Sequence, residues 1–158
     1  MIDIIRTRAL EIAAIARKGV CVEFNGTALP NSIAKYTHLI SGANEDSVFE
    51  EMFGGPRYNM MVAVTPRAED GVEVSAFVNG VSTNSGTHVR HVTDKLVKIV
   101  QDLVSKKYKQ ESVKVKPATV KDHLTIVIHL TIGDPMFGSQ TKEALTTPAK
   151  NFGFAVEF

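Results

Sequence analysis

Strict alternation of apolar and more polar side chains marks the stretch HLTIVIHLTI, residues 123–132. Because successive side chains of a strand point to opposite faces, this pattern predicts a strand with one apolar face and one wetter face. The apolar face comprises Leu124, Ile126, Ile128, Leu130 and Ile132, and the wetter face comprises His123, Thr125, Val127, His129 and Thr131. Residues 58–65 and 72–79 alternate in the same way and are predicted to form two further strands.

Helical spacing replaces alternation in residues 87–107. Apolar side chains recur there at every third or fourth position, at Val89, Val92, Leu96, Ile99 and Leu103. This stripe predicts one long amphipathic helix. An opening helix is predicted over residues 2–17, and Gly19 is expected to stop it. Shorter strands are predicted at residues 20–24, 27–29 and 47–53, and the first two are joined by an Asn25-Gly26 turn.

The C-terminal stretch FGSQTKEAL, residues 137–145, is predicted to form a short helix with Ser139 as its N-cap and Lys142 in its first turn. A lysine is disfavoured there, because the N-terminus of a helix already carries partial positive charge. An anion bound by the ammonium and the free N–H groups would explain this placement. The alternative is a solvated lysine that costs a few tenths of a kcal/mol.

The order of these elements, β-β-β-α-β-α, predicts an α+β fold with a mostly antiparallel sheet covered on one face by helices. A chain of 158 residues with 44% hydrophobic residues can form one domain, or one domain and a piece of another. Its single cysteine, Cys21, lies in an apolar run and is predicted to be a small core residue. One cysteine provides no disulfide framework, which is typical of a reducing, intracellular compartment.

A local excess of lysine distinguishes residues 105–121, although the whole chain has a formal net charge of only +1. The lysines are Lys106, Lys107, Lys109, Lys114, Lys116 and Lys121, against one acidic residue, Glu111. This density favours contact with a polyanion through its phosphates, without sequence preference. A solvated loop is the alternative. His88 and His91 have a spacing that can bind a metal, but no third ligand accompanies them, so no metal site is predicted.

Two stretches resemble the type IIA DNA topoisomerases: FVNGVSTNSGTHVRHVTDKLVKIV, residues 77–100, and FGSQTKEALTTPAKNFG, residues 137–153. The shared features are Phe-Val-Asn at the end of a strand, a Gly-Thr-His turn into a long helix, a Pro-x-Phe segment and the loop Ser-Gln-Thr-Lys-Glu. They resemble the transducer domain of the eukaryotic-type enzyme. Asn84-Ser85-Gly86 departs from the family's usual pair of glycines, and Gly138 replaces a residue that is often polar.

The resemblance implies that residues 1–40 are the tail of a GHKL ATP-binding domain and that residues 41–158 are the transducer domain. It also implies a βαβ unit with a left-handed crossover. The nucleotide-binding motifs of the GHKL domain cannot be read in the sequence. The chain is therefore expected to be a piece of an ATP-hydrolysing topoisomerase, inactive alone and a homodimer within the full enzyme. An upstream ATPase domain, a downstream cleavage core and double-stranded DNA are the implied partners.

The family's functional residues map onto the Gln-Thr-Lys loop. The resemblance implies that Lys142 is catalytic and contacts the terminal phosphate of ATP, and that Gln140 and Thr141 also belong to the nucleotide site. Mg²⁺ would accompany ATP, held mainly by the upstream domain. Lys106, Lys107, Lys109, Lys114 and Lys116 correspond to a loop that faces DNA in the family. The implied location is the nucleus in a cellular eukaryote, or the host cell or virus factory if the source is a virus.

Two other functions fit parts of these patterns. The second domain of another GHKL ATPase, such as a MutL-type mismatch-repair protein, would also carry an ATP-sensing lysine. A non-enzymatic DNA-binding module of the same fold would bind DNA by itself and would have no use for Lys142. The combination of the Gly-Thr-His and Ser-Gln-Thr-Lys-Glu motifs favours the topoisomerase over the MutL-type protein. The DNA-binding module stays open as an alternative, because the topoisomerase piece is expected to bind DNA only weakly by itself.

Overall fold

The computed structural model describes residues 2–67, 73–108 and 115–158. Four α-helices and nine strands lie within these residues, with two short 3-10 turns. The helices are α1 (Ile2–Ile15), α2 (Ile33–Ser41), α3 (Thr87–Lys107) and α4 (Pro117–Asp122). The strands are β1 (Glu23–Phe24), β2 (Thr27–Ala28), β3 (Phe49–Gly54), β4 (Asn59–Pro66), β5 (Glu73–Val78), β6 (Val81–Ser82), β7 (Ser85–Gly86), β8 (Leu124–Thr131) and β9 (Ala144–Leu145).

The main sheet has the strand order β3-β4-β8-β5-β6. The alternating stretch recognised in the sequence forms its central strand, β8, which pairs antiparallel with β4 and parallel with β5. The other pairs are antiparallel, so the predicted α+β fold with a mostly antiparallel sheet is confirmed. Because β5 and β8 are parallel, the chain must cross over between them, and it does so through α3 and α4. The left-handed sense of this crossover stays a prediction.

The first face of the sheet is the predicted apolar face, and α3 covers it. Alternate residues of β4 and β8, such as Met60, Val62 and Ile128, pack there with Val92 and Leu96 of α3. Burying such side chains contributes roughly 1.5–3 kcal/mol each, which makes this cluster the main source of stability. The apolar stripe of α3 leaves the core at its far end, where Leu103 is 59% exposed.

The second face of the sheet is also covered, which the sequence pattern did not predict. Val127 lies on the face expected to be wetter, yet it is fully buried against Ile33 and Tyr36 of α2. Helix α2 begins at the N-cap Ser32, whose hydroxyl accepts a hydrogen bond from the Lys35 N–H, and ends at a left-handed residue, Gly42. The sheet therefore lies between α3 on one side and α2, with α1, on the other.

The N-terminal strands are shorter than the sequence indicated. The Asn25-Gly26 turn is present, with positive φ angles of 51° and 77°, and it joins strands β1 and β2 of two residues each. Cys21 precedes β1 and is exposed, so its prediction as a core residue is wrong. The predicted boundary between residues 40 and 41 stays a prediction. None of the helices in the described residues is long and apolar enough to span a bilayer.

Candidate functional site

The Gln-Thr-Lys stretch forms the tip of a narrow hairpin, not the predicted helix. Phe137 bridges antiparallel to Leu145, and the Gly138 N–H donates to the Ala144 carbonyl at 3.0 Å. At the tip, the Lys142 N–H donates to the Ser139 carbonyl at 3.1 Å, which closes a single turn. Lys142 then takes a left-handed conformation with φ +59°, which ends any right-handed helix. The predicted helix beginning at Ser139 is therefore wrong.

Tertiary pairing explains why this stretch is not helical. Ala144 and Leu145 form strand β9, which pairs parallel with Ser85 and Gly86 of β7. Their backbone groups are drawn into this pairing, and the weak local preference of Lys-Glu-Ala-Leu for a helix is overridden. The argument from the helix dipole therefore does not apply to Lys142, although its ammonium is exposed.

The three residues predicted to bind nucleotide are exposed together on this turn. Gln140, Thr141 and Lys142 are consecutive, and all three face solvent. The Lys142 ammonium lies 5.7 Å from the centre of the Phe137 ring, a cation–π contact that an exposed cation leaves at small cost. The hydroxyls of Ser139 and Thr141 are 2.7 Å apart and share a hydrogen bond. The turn is thus internally bonded, while its cation and amide remain accessible.

The hairpin is attached directly to the start of α3. Gly86 of β7 has φ +117°, and a β-carbon at this position would lie 2.3 Å from the Leu145 carbonyl oxygen. Only glycine permits this conformation and this close approach. The next residue, Thr87, is the first of α3. The sequence suggested a turn into the helix here, but it did not indicate that the turn carries the Lys142 hairpin.

His88, in the first turn of α3, is completely buried behind this attachment. Burial lowers its pKa to about 4, and the backbone of Thr83 partly opposes that shift. Its ring is therefore neutral at physiological pH and is part of the packed interior. His91 is only partly buried and stands edge-on to the Phe152 ring. Among the described residues, no group of three His, Cys, Asp or Glu side chains could hold a metal ion.

Part of the predicted DNA-contacting set lies at the far end of α3. Lys106 and Lys107 occupy its last turn and are exposed, and Lys116 is an exposed residue at the N-cap of α4. The side-chain amide of Gln101 donates to the Val115 carbonyl at 2.7 Å, so the segment before α4 is held against α3. The described lysines therefore belong to one region of the surface. The predictions for Lys109 and Lys114 lie outside the described residues.

A large cleft exists elsewhere in the molecule. It has a volume of about 1030 Å³ and lies between the end of α1 and the second face of the sheet, with Arg17, Arg57, Glu50 and His129 among its lining residues. Burial raises the pKa of Glu50 and lowers that of His129. No residue of the 137–145 hairpin lines this cleft. Lys142 is thus exposed on its turn and takes no part in this cleft.

Comparison with known proteins identifies the family of this chain. A family model described as DNA gyrase B matches residues 27–157. This chain belongs to the DNA gyrase B family of type IIA DNA topoisomerases. It is 34% identical over 161 residues to DNA topoisomerase 2-beta of Mus musculus, a match that covers 97% of this chain and 10% of the mouse protein.

Solved members of the DNA gyrase B family and its topoisomerase II relatives share the fold. The ATPase region of Saccharomyces cerevisiae topoisomerase II superposes with a TM-score of 0.77 at 30% identity, over 97% of this chain and 38% of that one. The ATPase and transducer domains of DNA topoisomerase II from Balamuthia mandrillaris give the same TM-score and identity, over 98% of this chain and 38% of that one. This chain therefore spans well under half of each of these relatives. The family assignment favours the topoisomerase over a MutL-type protein.

Proposed function

We propose that this chain is the transducer part of an ATP-dependent type II DNA topoisomerase, and that Lys142 senses the terminal phosphate of ATP. The observation that carries the proposal is the exposed ammonium of Lys142 on a hairpin fixed to the start of α3. A nucleotide held by the adjoining ATPase domain would be contacted by Lys142, with Gln140 and Thr141 beside it. Release of that contact would free the hairpin, and with it the sheet and α3, to move against the ATPase domain.

Differential binding is the physical basis of such a sensor. A ligand can shift a conformational equilibrium only by the difference between its affinities for the two states. A charge-assisted hydrogen bond contributes about 1.5–3 kcal/mol, and the bond to the terminal phosphate exists with ATP and not with ADP. The same positive charge would stabilise the transferring phosphoryl group, where negative charge is spread over several oxygens.

The donors on the hairpin suit a phosphate and do not suit a metal. Lys142 supplies a cation and Gln140 an amide, while the described residues contain no acidic or imidazole cluster for Mg²⁺. Mg²⁺ would accordingly be held with ATP by the upstream domain, where it would neutralise phosphate charge. We further propose that residues 1–40 are the tail of that domain and residues 41–158 the transducer. A downstream cleavage core, a homodimeric enzyme and an intracellular location complete the proposal.

Nucleotide-dependent protection of Lys142 tests the sensor. In the full-length enzyme, an amine-acylating reagent should modify Lys142 at least about tenfold more slowly with a non-hydrolysable ATP analogue than with ADP. The reason is that acylation requires a free, deprotonated amine, whereas an ammonium bound to phosphate is neither free nor deprotonated. The rate is read for each lysine by mass spectrometry of peptides.

Lys150 provides the internal control for this measurement, because it is exposed and only eight residues away. Its acylation rate should be the same with either nucleotide. Equal rates at Lys142 with the analogue and with ADP would contradict the proposed contact. A non-enzymatic DNA-binding module would also show no nucleotide dependence at Lys142.

DNA contact by the described lysines is a separate part of the proposal. Changing Lys106, Lys107 and Lys116 to glutamine in the full-length enzyme should weaken DNA binding and flatten its dependence on salt. Each phosphate contact contributes about one unit to the slope of log K against log salt concentration, so the slope should fall by roughly two to three units. The measurement is a DNA-binding titration at several salt concentrations.

A matched triple variant separates local contact from total charge. Lys18, Lys35 and Lys150 are exposed and lie outside the lysine-rich segment, and changing them to glutamine removes the same charge. Their replacement should leave the slope nearly unchanged. If both triple variants lower the slope equally, the lysines of α3 and α4 act only through net charge and the local contact is wrong.

A further inference from the structure

Three of the four hydroxyl side chains in the stretch VSTNSGT, residues 81–87, lie at alternate positions, and the last of them begins α3. Each donates a hydrogen bond to a backbone carbonyl of the Lys142 hairpin or its C-terminal end. Ser85 donates to the Glu143 carbonyl at 3.0 Å and Thr87 to the Thr147 carbonyl at 2.6 Å. The single hydroxyl proton of Thr83 is shared between the Lys142 carbonyl at 3.1 Å and the Val81 carbonyl at 3.2 Å. We call Thr83, Ser85 and Thr87 the hydroxyl clamp.

We propose that the hydroxyl clamp positions Lys142 for the nucleotide, with Thr83 as its principal residue; this inference rests on the proposed function. The three residues act through the backbone of the hairpin and do not touch the nucleotide. Their role is to fix the backbone conformation at Lys142, because that conformation determines where its ammonium can reach. The clamp also makes the hairpin and the start of α3 a single unit.

The backbone of Lys142 explains why such a clamp is needed. A lysine with φ +59° is in a conformation that residues with a β-carbon disfavour, and strained backbone of this kind persists only where its surroundings hold it. The carbonyl of Lys142 belongs to the peptide unit that follows this strained angle, and Thr83 binds that carbonyl. Without the clamp, the Lys142 backbone could relax to right-handed or extended φ angles. Its side chain would then point in a different direction and would no longer be placed for the nucleotide.

Burial makes Thr83 the strongest member of the clamp. Its side chain is completely buried, so a hydrogen bond lost there is not replaced by water. The Thr83 backbone N–H also donates to the Ala76 carbonyl of β5 at 2.7 Å, which ties the clamp to the main sheet. Ser85 is exposed, and water can replace its bond in part.

Thr87 extends the connection to the helix and to the other strand of the hairpin. It is the first residue of α3, and its short bond to the Thr147 carbonyl joins the helix to the segment after β9. The hydroxyl of Thr147 in turn accepts a hydrogen bond from the Met136 N–H at 2.8 Å. Both ends of the hairpin are therefore fixed to the start of α3, so a pull on Lys142 is transmitted to the helix.

Two measurements on Thr83→Val test the clamp, because valine keeps the shape of threonine and removes its hydroxyl. In this chain, the nuclear Overhauser effect between the amide and α protons of Lys142, which is strong at positive φ because the two protons then lie close together, should weaken. In the full-length enzyme, kcat for ATP hydrolysis should fall by about two- to tenfold while KM stays within about twofold. Thr83→Ser restores the hydroxyl and should return both readouts toward the parent values.

Thr37→Val is the matched control, since Thr37 is equally buried and its hydroxyl donates to the Ile33 carbonyl within α2. It should lower stability without changing the Lys142 Overhauser effect or kcat. If Thr83→Val prevents folding, Ser85→Ala carries the same test with a smaller effect. An unchanged Lys142 Overhauser effect and an unchanged kcat in the folded variant would overturn the clamp. A weakened Overhauser effect with full turnover in both Thr83→Val and Lys142→Ala would instead refute the phosphate contact and leave the clamp standing.

Discussion

Gly86→Ala should lower the free energy of unfolding of this chain by about 2–6 kcal/mol. A non-glycine residue at φ +117° costs about 1–3 kcal/mol, because this conformation is almost restricted to glycine. The new β-carbon would also overlap the Leu145 backbone, where its distances to the carbonyl oxygen and the nitrogen are 2.3 and 2.5 Å. Forcing β7 and β9 apart adds a further cost of about 1–3 kcal/mol. Urea-induced unfolding followed by circular dichroism measures the loss.

Gly138→Ala is the control within the same hairpin. A β-carbon on Gly138 would meet nothing closer than the Thr146 methyl group at 3.7 Å, and its φ is not positive. This variant should stay within about 0.5 kcal/mol of the parent. If Gly86→Ala is as mild as Gly138→Ala, then β7 and β9 are not held as closely as the structure indicates, and the rigid attachment of the hairpin to α3 is wrong.

Strong local periodicity is what made the main sheet and α3 predictable. β8 alternates over eight residues, and α3 carries its apolar stripe through most of its length, so each pattern specifies both the element and its inner face. Ile128 was assigned to the apolar face of its strand, and it packs with Met60 and Val62 under α3. Patterns of this kind survive because burial of that face is what stabilises the element.

The elements that sequence reasoning missed depend on contacts made far along the chain. Val127 appeared to lie on a wetter face because its neighbours on that face are Thr125 and His129, yet α2 covers it. The start of α2 follows Pro30-Asn31-Ser32, and no helix was predicted there. A serine N-cap followed by apolar residues at helical spacing could have revealed this helix.

The candidate site was predicted through its residue types and motif, while its geometry was not predicted. Lys142 was identified as a candidate phosphate-binding cation, but the argument for its placement relied on a helix at Ser139 that the structure does not contain. A left-handed lysine has no local sequence signal, since asparagine and glycine are the residues that ordinarily mark such positions. Its conformation is set by hydrogen bonds from residues about 60 positions earlier, as the 59-residue separation of Thr83 and Lys142 illustrates.

Lys142→Ala in the full-length enzyme should lower ATP turnover by about ten- to hundredfold, with relaxation of supercoiled DNA falling in parallel. The estimate follows from the loss of one charge-assisted contact, worth about 1.5–3 kcal/mol, at the phosphoryl group. Alanine has a β-carbon as lysine does, so the backbone at φ +59° is no more strained in the variant. The exposed side chain contributes little to packing, so the unfolding temperature should be nearly unchanged. Steady-state ATPase and relaxation assays measure the effect.

Two companion variants decide whether the missing charge is responsible. Lys142→Arg keeps a cation with a different shape and should retain more turnover than alanine, while Lys150→Ala removes an exposed lysine beyond the hairpin and should be neutral. Full turnover in Lys142→Ala would mean that this ammonium does not reach a phosphate in the working enzyme. The exposed hairpin would then be only a structural link between β9 and α3. A loss shared equally by Lys150→Ala would also refute the assignment, because the effect would follow the general charge of this surface and not the position of one group.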